Sequence, residues 1–260
     1  MINYEFSLIG FEYWLLIFAR ITAFMHVAPV FGQSAVPNRV KAGLSVFVAT
    51  VLYNVVEHPE LAYTSAIGYA VILIREVITG LLIGYAANIC NSIVLFAGNI
   101  IDMDIGLSMV TEFNPEVNNE VSITGNLYYY FVLLLLISSE MHTYVLRALC
   151  DSFVVVSPGE PLPQWDSLMA SMTQYMGDLF VIGFRIFLPF FACIMVLNCV
   201  LGVMAKVAPQ MNMFAVGIQL KVLMGLIVLF LTFYLMPYVA DLLFDEIKTM
   251  VGLMIDGLHE

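Results

Sequence analysis

The sequence predicts an all-α integral membrane protein, on three observations. Of its 260 residues, 62% are hydrophobic and 11% charged, and the mean hydropathy is +0.95, far above the roughly half-apolar make-up of soluble domains. The apolar residues gather into six runs, at about 8–30, 40–56, 66–98, 127–149, 168–204 and 213–243. Between the runs lie turn and loop chemistries such as "FGQSAVPNR", "EHPELAYTS" and "SPGEPLPQWD", rich in residues that punctuate helices. A bilayer core accepts about 20 apolar residues per helix, because a spanning segment must satisfy its backbone hydrogen bonds internally. Little chain remains for a separate soluble domain, so residues 1–260 are expected to form a single membrane domain.

Taken in order, the first run follows "MINYEFSLIGFEYW", which carries Glu5 and Glu12 and no base. A cleavable signal begins with a basic region, so this run is expected to stay as a helix. The runs at 66–98 and 168–204 are too long for simple spans: about 33 and 37 helical residues reach roughly 50 Å against a hydrocarbon core of about 30 Å. Gly80 and Gly84 are the expected weak points of the first, and Pro189 the expected kink of the second. The positive-inside rule adds a conflict. Termini outside would place Arg39, Lys41 and Lys206 in inside loops, but would also place residues 99–126 inside, with five acids and no base. A hairpin within 66–98 would remove the conflict.

Charges within the runs are Arg20, the adjacent Arg75 and Glu76, Glu140, Arg147, Asp178 and Arg185. A lipid-facing charge at the bilayer centre costs on the order of 3 kcal/mol, so these groups are expected to face protein or water. Ion pairs between helices, a proton or ion relay, and snorkelling at the interface are the competing roles. From Gly80 a small and polar series runs through Gly84, Asn88, Asn91, Gly98 and Asp102 at helical spacing, which suits close helix packing or a pore lining better than lipid.

No catalytic constellation emerges. Asp102 and Asp104 are two residues apart and would point some 200° from each other on a helix. His26, His58, His142 and His259 are scattered, without metal-ligand spacing. Cys90, Cys150, Cys193 and Cys199 form no CxxC pair and read as small buried hydrophobes. No glycine loop of phosphate-binding type is present, and a net charge of −11 without a basic cluster gives nucleic acid nothing to bind. No enzyme, cofactor or metal is expected.

Three blocks carry a resemblance that covers nearly the whole chain: "FARITAFMHVAPVFGQSAVPNRVKAGLSVFVATVL", "GLSMVTEFNPEVNNEVSITGNLYYYFVLLLLISSEMHTYVLRAL" and "IGFRIFLPFFACIMVLNCVLGVMAKVAPQMNMFAVGIQLKVLMGL". The chain resembles the FliR family of flagellar biosynthetic proteins, most closely in the Pro-Gln-x-Asn, Phe, Gly and Leu-Lys series of the last block. Within that block, "IGFRIFLPFFACIMVLNCVLGVM" also looks like part of FliP. The resemblance implies kinked helical hairpins packed in the helical assembly of a type III export gate. It further implies FliP-like, FliQ-like and FlhB-like partners, unfolded flagellar proteins as cargo, and residence in the cell (cytoplasmic) membrane at the flagellar basal body. A multi-span secondary transporter or channel with a midplane polar site is the alternative, with Arg75, Glu76 and the asparagines as its candidates.

Two regions follow from the residues and the resemblance together. "AKVAPQMNMF" interrupts two apolar runs, so Lys206, Pro209, Gln210, Asn212 and Lys221 are read as an assembly joint, with a snorkelling turn as the alternative. They join Arg75, Glu76, Gly80, Gly84, Asn88 and Arg185 as residues of subunit packing. Gly106, Leu107, Ser108, Met109, Val110, Thr111, Glu112, Phe113, Asn114 and Pro115 are too polar for a span and too apolar for a free loop. The matching segment of the family implies a plug in the closed pore; an ordinary loop packed on its own subunit is the alternative.

Overall fold

A computed structural model describes residues 8–56, 63, 65–107, 112–114, 119–159, 165–208, 210 and 212–259. Among them the chain is helical apart from one small hairpin: α1 Leu8–Val27, α2 Asn38–Tyr53, α3 Ala66–Ala87, α4 Ile89–Ile105, α5 Ile123–Ser138, α6 Met141–Val155, α7 Trp165–Val207, α8 Met213–Phe233 and α9 Met236–His259. The hairpin pairs β1 Glu112–Asn114 with β2 Asn119–Val121 antiparallel, Phe113 opposite Glu120. Among the described residues three helices are long and apolar enough to cross a membrane: α3, Asp166–Val207 of α7, and Ala215–Phe233 of α8. Taken as one bent span, α5 and α6 would make a fourth.

The six apolar runs are thus cut into more helices than hydropathy suggests. The third run does not weaken at its glycines. Helix α3 passes through Gly80 and Gly84 and ends at Asn88, whose N–H bonds to the carbonyls of Gly84 and Tyr85 at 3.1 Å. The fourth run breaks at Glu140, which adopts φ 58° and whose carbonyl accepts from both the N–H and the hydroxyl of Thr143. A non-glycine residue in that left-handed region is uncommon and marks a local stop. Helix α7 runs continuously through Pro189. The last run divides at Tyr234 and Leu235, where α8 gives way to α9.

Two compact units result. The first comprises residues 1–89, 139–175 and 245–260; the second comprises 90–138 and 176–244. Helix α1 is the centre of the first unit. Leu16, Ile17, Ile21, Phe24 and Met25 are fully buried on it, an apolar circumference that fits a helix enclosed by others. Helix α2 buries the single stripe Lys41, Ser45, Ala49 and Leu52, and the Trp14 indole donates to the Thr50 hydroxyl at 3.4 Å. Helix α6 buries Val145, Ala148, Leu149, Ser152 and Phe153 at helical spacing. The end of α9 does the same with Ile247, Met250, Val251, Met254 and Leu258, while Asp245, Lys248 and Asp256 stay exposed.

In the second unit, glycine lets α4 and α5 meet backbone to backbone. A Cβ added to Gly98 would overlap the Gly125 backbone, so only hydrogen fits between the two chains. Phe96 stands edge-on to Phe180 and Phe184 of α7, at centroid distances of 5.1 and 5.7 Å, the geometry that aromatic quadrupoles favour. Phe131 and Phe233 join α5 to α8 at 4.5 Å.

The α1–α3 contact in the first unit yields a test. A Cβ on Gly80 would collide with the carbonyl oxygen of Arg20, and one on Gly84 would lie 3.1 Å from that of Phe24. Gly80→Val is therefore expected to destabilise the chain in detergent by about 1–3 kcal/mol or more, the usual cost of overpacking. Gly43→Ala on the exposed side of α2, with nothing within 4 Å, is expected to be neutral or stabilising by about 0.5–1 kcal/mol. Equal thermal unfolding of the Gly80 variant and the parent would contradict this assignment.

Candidate functional site

The most strongly constrained polar cluster lies inside the first unit and is built by α1, α3, α6 and the turn after α6. Arg20 is 0% exposed and Glu76 3%. The Arg20 Nε donates to Glu76 Oε2 at 2.6 Å, and its Nη1 donates to the carbonyls of Ser152 and Val156 at 3.1 and 3.0 Å. The Arg20 guanidinium carbon lies 4.2 Å from the centroid of the Phe153 ring, a cation–π position. On the other side, Glu76 Oε1 accepts the N–H of Gly159 at 3.0 Å, where φ of 95° suits glycine. The two carbonyls belong to the C-terminal turn of α6, which carries the negative end of that helix dipole. A cation belongs there.

At the outer end of α1, Glu12 is clasped by two tyrosines. The Tyr63 hydroxyl donates to the Glu12 carboxylate, and that of Tyr69 donates to the Glu12 carbonyl at 2.8 Å. Donation to Glu12 holds the Tyr63 phenol above its usual pKa.

In the second unit Asp102 does structural work at the start of α5. Its carboxylate is 2% exposed, accepts the Ser122 hydroxyl at 2.6 Å and accepts the Thr124 N–H at 3.2 Å. It thereby caps a helix N-terminus from a different helix. The Ser122 hydroxyl in turn accepts the N–H of Gly125 at 2.8 Å. Asp104, two residues on, is only partly buried and shares none of these bonds, so the two carboxylates do not act as a pair. Among the described residues no group of three His, Cys, Asp or Glu side chains could hold a metal ion.

The residues read as subunit packing divide in two. Glu76, Gly80 and Gly84 are engaged within the chain, on α1. Asn88 caps α3. Arg75 and Lys221 are half-buried, and Arg185, Lys206, Gln210 and Asn212 exposed; the Asn212 side chain caps α8, accepting from the Ala215 N–H at 3.5 Å. Pro209 lies outside the described residues. Of the plug segment, Gly106 turns the chain out of α4 with φ of 90°, Leu107 follows it, and Glu112, Phe113 and Asn114 form β1. Ser108, Met109, Val110, Thr111 and Pro115 lie outside the described residues. Sequence reasoning missed the partners of Arg20 and Asp102, which are 56 and 20 or more residues away.

The profile of the bacterial export proteins, family 1, matches residues 11–247. The chain belongs to that family. Members are export proteins and structural membrane components, not enzymes. The flagellar biosynthetic protein FliR of Bacillus subtilis is 27% identical over 221 residues, covering 84% of this chain and 85% of that protein. FliR of Escherichia coli strain K12 is 25% identical over 256 residues, 97% and 95% of the two chains. FliR of Pectobacterium carotovorum is 27% identical over 230 residues, 88% and 87%. Members of the family thus align with both units and with every helix described above.

Proposed function

We propose that this chain is a structural subunit of the flagellar type III protein export gate. In this reading it joins FliP-like and FliQ-like subunits, with a FlhB-like neighbour, to form the channel through which unfolded flagellar proteins leave the cytoplasm. The gate sits in the cytoplasmic membrane at the flagellar basal body. The observation that carries the reading is the extent of the kinship: relatives named as flagellar biosynthetic proteins align along 84% to 97% of the chain.

The surface supports it. Phe180, Phe184, Leu188, Phe191, Met195 and Val196 are exposed along α7, and Phe230, Leu231, Tyr234 and Tyr238 are exposed on α8 and after it. Faces this rich in large apolar side chains need lipid or neighbouring subunits. Arg75, Arg185, Lys206, Gln210, Asn212 and Lys221 would be the polar points at which neighbours meet them. A secondary transporter finds less support: its candidate Glu76 is closed off by Arg20 and Gly159.

The segment 106–115 would seal the closed pore. A channel wide enough for an unfolded chain must be blocked at rest, and methionine with bulky apolar neighbours can do so without one fixed geometry. Beside it, Asp102 anchors the end of α4 to Ser122 and Thr124 at the start of α5.

Two measurements test the reading. Co-expressed with FliP-like and FliQ-like proteins, the chain is expected to purify as one detergent-stable particle containing all three; purification on its own would count against a gate subunit. In cells with assembled gates, deleting residues 106–115 is expected to increase small-solute leakage and depolarise the membrane. Unchanged permeability would leave the segment without a sealing role.

A further inference from the structure

Within the second unit, α5, α7, α8 and the start of α9 line a groove of about 190 Å³ whose walls include Tyr128, Arg185, Pro189, Phe190, Thr232 and Tyr238. Small-molecule sites usually begin near about 300 Å³, so this groove has room for one or two side chains and little more. Three features converge on it. Arg185 is exposed in the midst of an apolar helix and pairs with no carboxylate among the described residues. Pro189 lacks an N–H, so the carbonyl of Arg185, four residues earlier, has no helical donor. The hydroxyls of Tyr128 and Thr232, 2.9 Å apart, add further polar atoms to the lining.

The rim is apolar. Leu235 is 55% exposed and Tyr238 73%, and Leu188, next to the lining residue Pro189, is 63% exposed. Whatever covers this groove must therefore be greasy around one acidic group, because an arginine enclosed by apolar surface is tolerated only when its charge is met. We propose that the groove receives an aspartate or glutamate side chain from an apolar helix of a neighbouring subunit, with Arg185 as its counter-ion. The planar guanidinium suits bidentate capture of a carboxylate, whereas the hydroxyls beside it are already engaged, Tyr128 donating to Thr232 and Thr232 to the Leu229 carbonyl. Aromatic side chains around a central arginine are also the composition that concentrates in the energetic centre of protein interfaces. That favours a protein occupant over a lipid phosphate, which carries the same charge chemistry but no matching apolar helix face.

This inference rests on the gate-subunit reading, since it requires a neighbour. The intact chain, as parent, Arg185→Lys and Arg185→Glu, is co-expressed with the FliP-like and FliQ-like subunits and the particle yield compared. In parallel, a photo-reactive residue replaces Leu188 in the chain that keeps Arg185, and its adducts are mapped by mass spectrometry. The Glu variant is expected to lower particle yield roughly tenfold or more, because it sets two acids against each other, whereas Lys, which keeps the charge but loses the bidentate fork, is expected to fall between the Glu variant and the parent. The probe is expected to label a neighbouring protein within a few residues of an Asp or Glu, whose replacement by Lys restores yield to the Arg185→Glu chain. A Glu variant assembling at parental yield, a probe labelling lipid alone, or a labelled peptide without an acid would each overturn the proposal while leaving the gate-subunit reading intact. A parent chain that forms no particle would overturn both. Should the Glu variant fail to fold, the adduct map decides alone.

Discussion

A fully buried arginine must be answered by the fold around it, and Arg20 sets that demand for the first unit. Its guanidinium holds the Glu76 carboxylate, two carbonyls at the end of α6 and the face of Phe153. Taking two charges out of water costs several kcal/mol per ion, so the pair persists only with good geometry and further hydrogen bonds. Every group that supplies those bonds is fixed in place as a consequence. Helix α3 must present Glu76 to α1, which the glycines at 80 and 84 permit by removing side chains from the same contact line. The turn after α6 must bring Gly159 to the far oxygen of Glu76. One interaction thus couples three helices and a turn.

The second unit solves its polar problem differently. Among the described residues it buries one carboxylate, Asp102, against the N-terminal turn of α5, where unpaired N–H groups already need an acceptor. Its cations are left at the surface: Arg185 and Lys206 are exposed and Lys221 half-buried. The contrast bears on function. Polar groups closed inside the chain hold its own shape, whereas those left open beside exposed phenylalanines and tyrosines are the ones that the proposed neighbours would meet.

The helical membrane class was legible because it depends on composition alone. So was a break in the run at 66–98, since a straight helix of that length cannot fit a bilayer. The equally overlong run at 168–204 stays one continuous helix, α7, and the positions of the breaks that do occur could not be read. Asn88 and Glu140 sit within continuous hydropathy, and nothing local distinguishes Glu140 as a left-handed stop. The glycines at 80 and 84 looked like weak points because glycine lowers helix propensity, yet tertiary contact decides their role: each is where α1 comes closest. The polar series from Gly80 to Asp102 was visible as a pattern, but a break at Asn88 divides it between two helices with different neighbours. Arg20 could be recognised as a charge needing a partner, while the identity of Glu76, 56 residues on, required the fold.

The claim that the buried pair organises the first unit is tested most directly by a double-mutant cycle on Arg20→Met and Glu76→Leu, followed by unfolding in detergent. Each single substitution strands a buried charge and is expected to cost about 3–5 kcal/mol. The double substitution removes both charges and is expected to cost no more than either single one, since contacting residues do not behave additively. Losses that simply add, or single variants as stable as the parent, would contradict the account.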